Sequence, residues 1–144
     1  MTQEAGAPPI SNPMIDSSGI ANMPWILFFN NLWIGDRGKE WTPNFVNLTQ
    51  VGVPTITGRY YMLSKSLAYF RVTITPGTNT SATAGTTYIE NFPKVINGDG
   101  ACHAVSGLLG SSAGMIEASS RRIYVPGWTT VTVPLSIVGT IEVR

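Results

Sequence analysis

The sequence predicts an all-β chain: a jelly-roll or β-sandwich of about eight short antiparallel strands, preceded by an extended N-terminal arm and one short apolar helix. Three observations predict it. From about Trp41 onward, apolar and polar residues alternate with period two, the signature of strands with one buried face. Gly, Pro, Asn and Ser punctuate that pattern at short intervals, as in sandwiches and barrels. Ahead of it, seven of the ten residues from Pro24 to Trp33 are large and apolar. Plotted at about 100° per residue they cover nearly the whole circumference of a helix, with only Asn30 and Asn31 as a polar seam.

Each element has a local reason. Residues 1–13 carry three prolines and one charge, which predicts an extended arm. Asp16-Ser17-Ser18-Gly19 sets a turn. Asn22 is placed to cap the following helix, Pro24 fits its first turn, and Gly35 can stop it. About 11 residues make too short a helix to persist alone in water, so this one needs a partner. Asp36-Arg37-Gly38-Lys39 reads as a hinge, dividing the chain into an attachment segment at 1–38 and a β-domain at 39–144.

In the β-domain, Arg59–Leu63 and Leu67–Thr75 read as a hairpin closed by Ser64-Lys65-Ser66. Its second arm directs Phe70, Val72 and Ile74 to the core, and Tyr69, Arg71, Thr73 and Thr75 away from it. A polar loop is expected over 76–85, then a short strand over 86–89 closed by Asn91-Phe92-Pro93. Further strands are expected at 101–106, 113–118, 121–125, 129–133 and 135–143. The closing strand is expected either centrally in a sheet or against a neighbour.

Composition narrows the function. The chain has 144 residues, enough for one domain with an appendage, and no internal repeat or second domain is visible. A net charge of +1 leaves no basic footprint for nucleic acid or for acidic lipid. Only 12% of residues are charged, about half the usual quarter, which suits a protein packed among neighbours. The apolar run at 24–34 is about half the length a bilayer requires, so no membrane partner is expected. The first residues lack a basic n-region and an apolar h-region, which points to synthesis in a cytoplasm. The sequons at Asn47 and Asn79 then carry no glycan meaning.

Chemistry is sparse. Cys102 and His103 are the only residues of their types, and as strand neighbours they point to opposite faces, so they cannot pair as nucleophile and base. A triad built on His103 stays open, although no Gly-x-Ser-x-Gly elbow accompanies it; the plain reading is a half-buried strand residue. The eight carboxylates are scattered singly, and neither CxxC nor HxxxH occurs. Gly107-Leu108-Leu109-Gly110-Ser111-Ser112 lacks the lysine of a phosphate loop. Arg121-Arg122 reads either as a contact for a partner carboxylate or as a charged sheet edge. Trp41, Trp128, Tyr60, Tyr61 and Tyr124 are candidates for a sugar-stacking groove or, more plainly, for core. No catalytic, cofactor or metal residue is assigned, and the chain is not expected to be an enzyme.

Three stretches carry a family resemblance. Met14-Ile15-Asp16-Ser17-Ser18-Gly19-Ile20-Ala21-Asn22-Met23-Pro24-Trp25, running into Phe28-Phe29-Asn30-Asn31-Leu32-Trp33, resembles the N-terminal attachment segment of small bacteriophage fibre and decoration proteins. Trp41-Thr42-Pro43-Asn44-Phe45, with Gly58-Arg59-Tyr60-Tyr61 and Tyr69-Phe70-Arg71-Val72-Thr73-Ile74, is similar to the β-domain that follows in those proteins. Gly85-Thr86-Thr87-Tyr88-Ile89-Glu90-Asn91-Phe92-Pro93 is similar to a turn of the same group.

The resemblance implies a virion structural protein whose β-domain is a homotrimeric jelly roll. It implies that Trp25, Ile26, Phe28, Phe29, Leu32 and Trp33 dock the chain on the major capsid protein or on tail or adaptor proteins. The 144 residues leave no room for a fibre shaft, which favours a capsid-decorating, cement or short head-fibre protein. The alternative is a tail-fibre or receptor-binding module, whose loops at 76–85 and 107–114 would contact host surface polysaccharide. A small glycan hydrolase ranks last.

Overall fold

Alternation builds the fold. The computed structural model describes residues 13–15, 17–20, 22–25, 38–107 and 112–144. The chain divides into two compact units, Met1–Arg37 and Gly38–Arg144. In the first, the 17–19 turn carries Gly19 at φ +78°, which glycine adopts without a Cβ penalty. A helical stretch begins at 23–25, directly after Asn22. The amide of Trp25 donates to the Asn22 carbonyl at 3.0 Å. Among the described residues no helix is long and apolar enough to cross a membrane.

The second unit is all-β, with twelve strands among the described residues. They are β1 Lys39–Trp41, β2 Phe45–Val46, β3 Thr49–Val51, β4 Thr55–Met62, β5 Leu67–Thr75 and β6 Asn79–Ala82, followed by β7 Tyr88–Ile89, β8 Gly100–Ser106, β9 Ser112–Glu117, β10 Arg122–Tyr124, β11 Trp128–Val131 and β12 Leu135–Glu142. Nine form a curled antiparallel sheet in the order β1-β4-β5-β12-β8-β9-β10-β7-β2, and three form a small sheet in the order β11-β6-β3. One buried cluster joins the inner faces of both, as in a β-sandwich.

The predicted hairpin is present as β4 and β5, with Phe70, Val72 and Ile74 fully buried and Arg71 exposed. Across from β5, β12 buries Leu135, Ile137 and Ile141. Gly139 faces Phe70 in that register, and a Cβ on it would come within 2.9 Å of the Phe70 ring. The β12 strand lies centrally, between β5 and β8, with Val143 bridged to Ile96 beyond its end. Phe92, in the segment after β7, touches Trp41, Tyr60 and Phe70 edge-on, with ring centroids 5.4, 5.6 and 5.8 Å away.

Some expectations change. The strand count exceeds eight because β1, β2 and β3 are two or three residues long, too short for a period to show. The expected polar loop at 76–85 contains β6, paired on both sides. Its Thr80 is fully buried because the hydroxyl donates to the Thr49 carbonyl at 3.1 Å, so the polar group keeps a hydrogen bond out of water. Thr87 repeats the device: its hydroxyl donates to the Asn47 carbonyl and accepts from the Thr83 amide.

Candidate functional site

Of the six docking residues the resemblance implies, Trp25 is placed, partly buried in the helical stretch; Ile26, Phe28, Phe29, Leu32 and Trp33 lie outside the described residues. Immediately before them, Met14, Ile15, Ile20 and Met23 are between 49% and 64% exposed. Four large apolar side chains within ten positions are thus left wet just ahead of the most apolar segment of the chain. The described buried core cluster, in contrast, runs from Tyr60 to Val143.

Of the two readings of the aromatics, the plainer one, core, describes Trp128, Tyr60 and Trp41, and the five do not line one groove. Trp128 and Tyr60 are buried in the core. Trp41 packs against that core through Tyr60 and Phe92. Tyr124 stands beside Tyr88 with centroids 5.4 Å apart, and only Tyr61 and Trp41 share a hollow. The 76–85 loop is lost to β6, and the 107–114 loop overlaps β9 at 112–114, with 108–111 outside the described residues. Arg122 is not on a sheet edge: β10 lies between β9 and β7, and the guanidinium sits 4.3 Å from the Tyr88 ring centroid. Its hydrogen bond to the Tyr124 hydroxyl raises its pKa further. Arg121 is exposed, in the turn before β10, at φ +56°.

Cys102 and His103 do point to opposite faces of β8. Cys102 is fully buried, and desolvation pushes its thiol up to about 12. A neutral buried thiol is a poor nucleophile. His103 is exposed rather than half-buried, because the inward positions of the strand belong to Cys102 and Ala104. The described carboxylates each meet a partner of another kind. Glu90 accepts from Asn44, Glu142 from Asn97 and Glu117 from Ser120; Asp99 accepts from the Ala118 amide.

The remaining carboxylate, Glu40, belongs to a built surface feature. On the outward face of β1, β4 and β5 the register sets Glu40 opposite Arg59, and Arg59 opposite Arg71. Glu40 and Arg59 form an ion pair. The hydrogen bond that Arg59 donates to Glu40, and then its hydrogen bond with Tyr61, raise the Arg59 pKa. Arg71 reaches the Ser136 hydroxyl with Nε at 3.3 Å and Nη2 at 3.1 Å. Beside them opens a hollow of about 560 Å³, lined by Glu40, Trp41, Thr57, Arg59, Tyr61 and Arg71 among others. The sequence concealed this site because its members come from three strands. The predicted hairpin already sets Arg59 across from Arg71; what stayed hidden is Glu40 of β1, paired to β4 from a distance in sequence. Compared with protein-family models, with curated proteins and with solved structures, the chain gives no match.

Proposed function

We propose that this chain is a bacteriophage virion structural protein, a capsid-decorating, cement or short head-fibre protein. It docks through its N-terminal segment on the major capsid protein or a tail or adaptor protein, and trimerises through its β unit. One observation carries the reading: Met14, Ile15, Ile20 and Met23 stay exposed in front of the aromatic run at 25–33, while the described buried core is drawn from residues 60–143. A segment of that kind gains by being covered. Removing several hundred Å² of apolar surface from water, at about 25 cal/mol per Å², is worth on the order of several kcal/mol gross per chain. Ordering the segment offsets part of it. Three such anchors on one trimer multiply the hold.

Phe28→Asp combined with Leu32→Asp in the full chain tests the reading. The unaltered protein is expected to co-sediment with particles of the phage that encodes it, and the double variant to remain in the supernatant with an unchanged β-sheet circular dichroism spectrum. Equal co-sedimentation of the two would refute the docking role. The hollow on β1, β4 and β5 favours a second reading, a tail-fibre or receptor-binding module contacting host surface polysaccharide. On that reading the purified protein blocks adsorption of the phage to its host.

A further inference from the structure

The outward face of β4 and β5 carries a charge arrangement that the fold leaves unbalanced. Arg59 and Arg71 stand directly opposite each other on neighbouring antiparallel strands. Like charges in that relation repel. Glu40 neutralises one of them, from the far side of β4. Arg71 has no carboxylate within ion-pair range among the described residues. Its hydrogen bonds go to one neutral hydroxyl, that of Ser136, and its Nη1 makes none among the described residues. Two guanidiniums and one carboxylate therefore leave a net positive charge on the wall of the 560 Å³ hollow.

The rest of the lining is hydroxyl and ring. Thr57 and Thr73, opposite each other in the same register, bring hydroxyls beside the arginines. Tyr61 is seated against Gly38, where an added Cβ would come within 2.7 Å of its Cε1; Gly38 itself holds φ +76°. The missing side chain thus makes room for the ring and fixes where it stands. We propose that this hollow binds an acidic saccharide, with the sugar carboxylate held by Arg71 and Arg59 and the ring hydroxyls by Thr57 and Thr73. A guanidinium is the side chain that matches a planar carboxylate with two parallel hydrogen bonds. The hollow is within the usual size range of small-ligand sites. The threonine hydroxyls and the seated tyrosine favour a polyhydroxylated ring over a bare anion. Glu40 acts as an internal competitor for Arg59. This inference is independent of the docking segment, and its failure leaves the particle experiment untouched.

The test is a calorimetric titration of the full chain at low salt with tetragalacturonate, with neutral maltotetraose alongside. Tetragalacturonate is expected to bind, and maltotetraose to bind at least about tenfold more weakly. Arg71→Gln is expected to lower the affinity by about tenfold, while Arg71→Lys, which keeps the charge without the fork, falls between. Glu40→Gln is expected to tighten binding severalfold by releasing Arg59, an effect that a merely structural Glu40 would not produce. Urea midpoints of the variants confirm that each is folded. The proposal is overturned if tetragalacturonate fails to bind at roughly 10 mM, about the weakest affinity worth calling a site. It is equally overturned if both sugars bind alike, if Arg71→Gln changes nothing, or if acetate or an aspartate-rich peptide binds as tightly as the sugar.

Discussion

Phe70 shows how much a single position holds. Its ring is fully buried, lies across Gly139 of β12 and touches Phe92 edge-on. Phe70→Ala removes that ring from a packed site and is expected to cost about 3–5 kcal/mol, read from urea unfolding of the β unit. A loss below about 1 kcal/mol would mean that the site collapses or was never tightly packed. Cys102 gives a second prediction. The thiol of the unfolded chain ionises near 9.0, and burial moves it to about 12 in the fold. Above pH 9 the unfolded state therefore loses a proton that the folded state keeps. Stability falls between pH 9 and 12, by at most about 1.4 kcal/mol per unit. The stability difference between the unaltered protein and Cys102→Ala is expected to shrink across that window. A difference independent of pH would show that the thiol is not desolvated.

Among the elements, the long strands were legible because a period of two repeats several times in them. In β5 the order Phe70, Val72, Ile74 fixes the inner face, and β12 repeats it with Leu135, Ile137 and Ile141. The two-residue β2 offers no period, and in β6 a threonine takes a core position because its hydroxyl finds a carbonyl. Phe92 looked like part of a turn; that it sits among Trp41, Tyr60 and Phe70 depends on long-range packing that no local pattern encodes. The β8–β9 pair supplies a prediction at this scale. A Cβ at Gly114 would stand 2.2 Å from the Tyr124 carbonyl oxygen and 2.9 Å from Cys102 Sγ, whereas Gly107 has open space around its own. The clash involves backbone, so β9 and β10 must separate to admit it. Gly114→Ala is expected to lower the thermal midpoint by several degrees, and Gly107→Ala to leave it nearly unchanged. Equal shifts would contradict the packing described between β9 and β10.

At the scale of the whole molecule, the sequence shows two kinds of apolar residue, and the structure separates them. One kind alternates along strands and fills the core of the β unit. The other clusters before residue 34; of its described members Met14, Ile15, Ile20 and Met23 are exposed and Trp25 is partly buried. The all-β class could be read from alternation and turn residues. The opposed arginines follow from the predicted hairpin, whose closure at 64–66 sets Arg59 across from Arg71; the approach of Glu40 could not be read, because β1 is too short to show a period. The docking proposal depends on the division into two compact units, Met1–Arg37 and Gly38–Arg144: it requires that the second fold without the first and that the first supply the attachment. Removing residues 1–37 and imaging assembled particles by electron microscopy tests this most directly. The account predicts that the remaining chain keeps its β-sheet spectrum and a cooperative unfolding transition but is missing from the particles. Particles carrying the shortened chain at full occupancy would contradict it.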